Sequence, residues 1–154
     1  MLVTAVALSD VILAVHIAAV LITFGVIFSY PVIYLASGQL GPQTMAGYYR
    51  IRALLGRRLI SPGLALVLAA GIYLASDLHQ WKHFYTQWGI VVVVVIGAIT
   101  GAFSSPRERR LAELAERESS GAEYQALAKR VAIVDLLLLV LVLATVYVMT
   151  VHAG

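Results

Sequence analysis

Few side chains in this sequence could do chemistry, and most of those are histidines. There is no cysteine, which removes disulfides, thiolate metal sites, iron–sulfur clusters and cysteine nucleophiles together. The histidines are His16, His79, His83 and His152. His16 stands inside "SDVILAVHIAAVLITFGVIFSYP", Ser9 to Pro31, an otherwise almost wholly apolar stretch. An imidazole there is open to four readings. It can be a core residue satisfied by Thr or Tyr hydroxyls, an axial haem ligand, a ligand for copper or another transition metal, or a group that carries protons or touches a quinone. Haem in a helix bundle commonly takes a second axial ligand, for which His152 and the His79/His83 pair are the candidates. His79 and His83 are four apart and could share a helix face to bind a metal. The plainer reading is an interfacial belt with Trp81, Phe84, Tyr85 and Trp88.

The spacing around His16 says what must position it. Ser9, His16, Thr23, Tyr30 and Ser37 recur every seven residues. Seven residues are nearly two helical turns, so these side chains drift only about 20° per repeat and form one polar stripe. Polar groups in lipid are turned toward partners. The stripe therefore faces a bundle, with Thr23 and Tyr30 beneath His16 as candidate pocket residues. If the span is centred near Ile22, His16 lies roughly 9 Å from the midplane. Asp135, Leu138, Val142, Thr145, Met149 and His152 follow the 3-4 spacing of a second inward-facing seam.

The elements that carry these seams are membrane spans. The 154 residues are 61% hydrophobic and 12% charged, against about half and a quarter in soluble domains. Four apolar segments stand out, at about 10–36, 59–76, 88–104 and 131–151, near the ~20 residues that cross a bilayer. The expected fold is all-α, a single four-helix transmembrane domain with short interfacial or cytoplasmic helices. Ten of the eleven Lys and Arg fall in the first and third connections, and only Lys82 in the second. The positive-inside rule makes the basic side cytoplasmic and places both termini outside a bacterial inner membrane. All four histidines then lie in the outer half. The net charge of +3 is explained by these loops without a nucleic-acid partner, so the expected partners are the bilayer, other membrane subunits or a second copy.

The connections carry their own signals. "SPRE" at 105–108 reads as a capping box with Ser105 at N-cap, Pro106 at N1 and Glu108 at N3, opening a short helix to about Glu118. "SGAE" at 120–123 repeats the signal, so a break is expected near 119–121, followed by a long fourth helix. Leu111, Leu114 and Ala115 give the short helix an apolar side. "QTMAGYYRIRALLGRR" reads as an interfacial helix leading into the second span, with its arginines on lipid phosphates. Gly97, Gly101 and Ser105, and likewise Ser61, Ala65 and Ala69, form small-residue faces suited to close helix contact. Pro31 and Pro62 mark bends.

The patterns "AVHIAAVLITFGVIF" and "RRLISPGLALVLAAGIYLA" resemble a superfamily of small bacterial membrane proteins. It comprises an uncharacterised family of predicted four-helix integral membrane proteins, the copper-resistance D-type proteins and the HemJ-type protoporphyrinogen oxidases. The resemblance is closest to the uncharacterised family, over the first three spans. It implies that His16 is a haem or copper ligand. The sequence departs from the HemJ pattern at "TQWGIVV", which lacks a lysine after the tryptophan, and at "SYPVIYLASG". The functional expectation is a site around His16 binding b-type haem or a metal, for electron transfer or haem/metal handling. The alternative is a non-catalytic accessory or scaffold subunit.

Overall fold

A computed structural model describes residues 8–118 and 121–152, with the side chains of Glu118 and His152 outside the described set. Every element among them is helical. Helix α1 (Leu8–Gln39) is followed by α2 (Pro42–Leu55), which runs through a π turn at Gly56–Ile60 into α3 (Ser61–Asp77). Helix α4 (Phe84–Ala98) runs through a second π turn at Ile99–Ser104 into α5 (Ser105–Glu118), and α6 (Ala122–His152) closes the bundle. Among the described residues four helices are thus long and apolar enough to cross a membrane: Leu8–Gln39, Pro42–Asp77, Phe84–Arg117 and Ala122–Val151. Within the most apolar 18-residue stretch of each, only 22–33% is buried in the chain. Much of the remainder, including Leu21, Leu136, Leu137 and Val140, faces outward. Such a surface is stable only in lipid; the chain is a multi-pass membrane protein.

The middle two helices are longer than the spans expected at 59–76 and 88–104. At 36 and 34 residues each is roughly 50 Å long, well beyond the ~30 Å hydrocarbon core. Their excess lies at one end, where α2 packs along α5 and builds a second core from Met45, Ala46, Tyr49, Leu111, Ala115 and Val131. We call this the basic end, since Arg50, Arg57, Arg109 and Arg110 surround it. The apolar side of α5, Leu111, Leu114 and Ala115, is buried in this core. The opposite end holds the His79–His83 loop.

Ser105 does not cap a helix. It sits mid-helix, and so does Ser61, for one shared reason. Each precedes a proline, which lacks an N–H and crowds the carbonyl four residues back. The chain widens by one residue into a π turn. The carbonyl five residues before the serine then accepts from it twice. Ser61 N–H and Oγ both donate to the Gly56 carbonyl, and Ser105 N–H and Oγ both donate to the Thr100 carbonyl. The spacing of a capping box cannot distinguish this from a helix start. The Ser120 box and most of the expected break, Ser119 and Ser120, lie outside the described residues; α6 does begin at Ala122 and is 31 residues long.

The small-residue faces also differ from expectation. Ser61, Ala65, Ala69 and Gly101 are exposed, and a Cβ on Gly101 would meet nothing within 4 Å. The close approach is made elsewhere. A Cβ on Gly63 would collide with the Thr23 side chain, and one on Gly71 would lie 3.3 Å from His16 Cε1. Glycines eight apart on α3 thus receive the polar residues seven apart on antiparallel α1. The stripe itself faces inward: Thr23, Tyr30 and Ser37 are buried, and Ser9 and His16 partly so. On α6, Leu138, Val142 and Thr145 are buried, as their spacing requires.

Candidate functional site

The densest chemistry lies at the basic end. One side chain from each of the four long helices meets there. Arg52 of α2 is 3% exposed. Its Nε donates to Glu108 Oε1 at 2.8 Å, and its two terminal nitrogens donate to Asp135 Oδ2 and Oδ1 at 2.6 and 2.7 Å. One of them also donates to the Tyr48 hydroxyl at 3.1 Å, which in turn donates to the Tyr30 backbone carbonyl at 3.2 Å. The guanidinium carbon lies 4.2 Å from the centre of the Tyr30 ring. A bidentate carboxylate on one edge, a second carboxylate at Nε and an aromatic face together saturate the cation.

The local sequence puts Arg52 there because Met45, Tyr48, Tyr49, Arg52 and Gly56 are spaced as one buried helical face. Arg52 therefore does not meet lipid phosphate. Arg57 and Arg58 are exposed, and Arg50 pairs with Glu116 at 2.5 Å. Two sequence features hint at a buried arginine without naming its partners. Arg52 falls on the apolar face of its own helix, and Asp135, in an apolar span, requires a cation. With both carboxylates ionised against one guanidinium, the cluster would carry one negative charge in excess.

Beside the cluster lies a cavity of about 280 Å³ between α1, α2 and α6. Its polar end is Arg52, Asp135 and tyrosines 30, 34, 48 and 49; its apolar wall includes Leu35, Leu136 and Leu139. Leu35 and Leu136 are also exposed on the outer surface, so the cavity reaches the bilayer between α1 and α6. Size, apolar walls and a few convergent polar groups are the ordinary properties of a small-molecule site.

The histidine seam is different in kind. Nδ1 of His16 and Oγ1 of Thr23 are buried without a hydrogen-bond partner among the described residues, although the Val67 carbonyl interacts with the imidazole. Tyr30, expected below His16 as part of the same pocket, instead belongs to the Arg52 cluster. Gly71 lies tight against one side of the imidazole, and neither His79 nor His83 is brought to it on a helix. Those two lie in the loop 78–83, not on one helix face. His79 has φ 55 and ends α3: Gln80 N–H donates to Ala75 O and His79 N–H to Ser76 O, the Schellman arrangement with His79 at the left-handed position. His83 stacks on Tyr85 at 5.2 Å. Among the described residues no three His, Asp or Glu side chains are grouped to hold a metal ion.

Comparison with protein-family models, with curated proteins and with solved structures finds no match in any of the three.

Proposed function

We propose that this chain binds a small amphipathic molecule from the bilayer in the cavity between α1, α2 and α6. The observation that supports the reading is the cavity's two-sided chemistry, an apolar wall open toward lipid and a polar end anchored by a saturated ion cluster. A guanidinium already matched by two carboxylates disfavours an anion. Four tyrosines and the Asp135 carboxylate favour an organic cation, since aromatic faces and a carboxylate are what recognise an alkylammonium group. Ten basic residues at the cluster's end of the bundle support placing that end in the cytoplasm, with the cavity in the inner half of a bacterial inner membrane.

The test uses detergent-purified protein and three soluble ligands of similar shape: benzyltrimethylammonium, neutral benzyl alcohol and anionic benzenesulfonate. The ammonium ion should raise the melting temperature and bind in equilibrium dialysis, and Asp135→Asn should abolish both. Equal effects of all three, or none, would reject the reading. A reporter fused after Gly154 should lie outside the cytoplasm.

A second reading keeps His16 as the working residue, because its Nδ1 is buried without a partner. Protein expressed with haem and transition metals supplied would then carry a Soret band or bound metal, lost in His16→Ala. A colourless, metal-free protein would remove this reading.

A further inference from the structure

The large cavity uses Arg52 and Asp135 but not the far side of Glu108. That carboxylate is 4% exposed. Both Arg52 nitrogens that reach it fall on Oε1, whereas Asp135 engages Arg52 through both of its oxygens. Glu108 is therefore the carboxylate less engaged by Arg52. A second, small cavity of about 10 Å³ lies against it, lined among others by Gly56, Thr100, Ser104 and Asp135. That is room for about one water molecule. Ser104, 3% exposed, stands one helical turn before Glu108, and its Oγ is buried with no hydrogen-bond partner among the described residues. Both π turns border this space.

An unbalanced negative charge in a buried cluster is costly. The smallest chemical remedy is a proton, and an orphaned hydroxyl beside the less engaged carboxylate is where it finds an acceptor. The charged and titratable groups around Glu108 are Arg52 and Tyr48 from α2, Tyr30 from α1 and Asp135 from α6. Arg52 is the sole cation of this set.

We propose that Glu108 is a proton-binding site, holding one proton as a neutral carboxylic acid hydrogen-bonded toward Ser104. An organic cation entering the large cavity displaces it. The second half of the proposal rests on the ligand-binding reading above; the first does not. The exchange balances: the Glu108 O–H bond breaks, the proton leaves to solvent, and the incoming cation neutralises the carboxylate left behind. Asp135, Arg52 and Tyr30 line both cavities, so one cluster feels both occupants.

Infrared difference spectroscopy of the purified protein tests the proton site directly. The wild type at neutral pH should show the C=O stretch of a protonated carboxylic acid. Glu108→Gln should remove the band, and Asp135→Asn, which takes away the charge that the proton offsets, should weaken or remove it. Ser104→Ala should shift its frequency without removing it, and serves also if Glu108→Gln fails to fold. No band, or a band that survives in Glu108→Gln, overturns the proposal. So does a cluster that binds Na⁺ with no such band.

Coupling is read in weakly buffered detergent solution with a pH-indicator dye. Benzyltrimethylammonium should release one proton per cation bound, and its Kd should tighten about tenfold per unit rise in pH where Glu108 is protonated. In Glu108→Gln the pH dependence should vanish. Binding with no proton release overturns the exchange and leaves the ligand-binding reading intact. No binding, with the infrared band present, overturns the ligand-binding reading and leaves the proton site standing.

Discussion

The bundle satisfies its polar groups in two opposite ways. At the basic end, Arg52 makes charge-assisted hydrogen bonds to Glu108, Asp135 and Tyr48 and lies over the Tyr30 ring, so all four long helices contribute. Along the α1–α3 seam, His16 and Thr23 are pressed against glycines, each with a buried polar atom left unpaired. The first region is held by directional electrostatics and the second by shape. A cluster that needs every member should fail sharply when one is removed. A seam held by contact should respond to volume and be indifferent to hydroxyls.

The largest expected effect is at Arg52. Arg52→Leu leaves two carboxylates buried together and should destabilise the detergent-solubilised protein by about 3–5 kcal/mol, read as loss of cooperative melting. Replacing Arg52, Glu108 and Asp135 by leucine together should recover much of that loss, since no charge is then stranded. A triple variant as unstable as the single one would show that the cluster does not act as a unit. Next is Gly63→Ala, which forces α1 and α3 apart at Thr23 and should cost about 1–3 kcal/mol by overpacking. Gly101→Ala, with open space around it, should be neutral or slightly stabilising, and equal effects at the two glycines would erase the distinction between seam and outer face.

Smaller changes refine the contrast. Thr23→Val removes an unpaired hydroxyl at constant shape and should be neutral or stabilising by about 1 kcal/mol; a clear loss of stability would mean that the hydroxyl is satisfied. His79→Gly relieves a non-glycine residue at φ 55 and should stabilise by roughly 1 kcal/mol, the sign opposite to that of a ligand that holds the loop through a metal. The smallest effect is at Arg110, paired on the surface with Glu113 and Glu123, where Arg110→Ala should leave the melting temperature unchanged at moderate salt.

The membrane class, the all-α architecture and the inward direction of the seven-residue stripe were all legible in one dimension. They follow from hydropathy and helical period, which a single helix expresses by itself. The start of α6 near residue 121 and the inward seam of Leu138, Val142 and Thr145 followed from the same rules. What the sequence could not convey was which helix surface each residue would meet. Ser105-Pro106 carries the same local signal at a helix start and at a π turn, and only the continuation of α4 into α5 decides between them. Ser61, Ala65 and Ala69 have the spacing of a contact face, but Gly63 and Gly71 won the contact because the bulky polar residues of α1 needed glycine opposite them. Arg52 looked like one loop arginine among four. Its burial depends on Glu108 and Asp135, which lie 56 and 83 residues away along the chain. Charge pairing at that separation is set by how four helices align in depth, and no local pattern encodes that alignment; it exists only once the bundle is assembled.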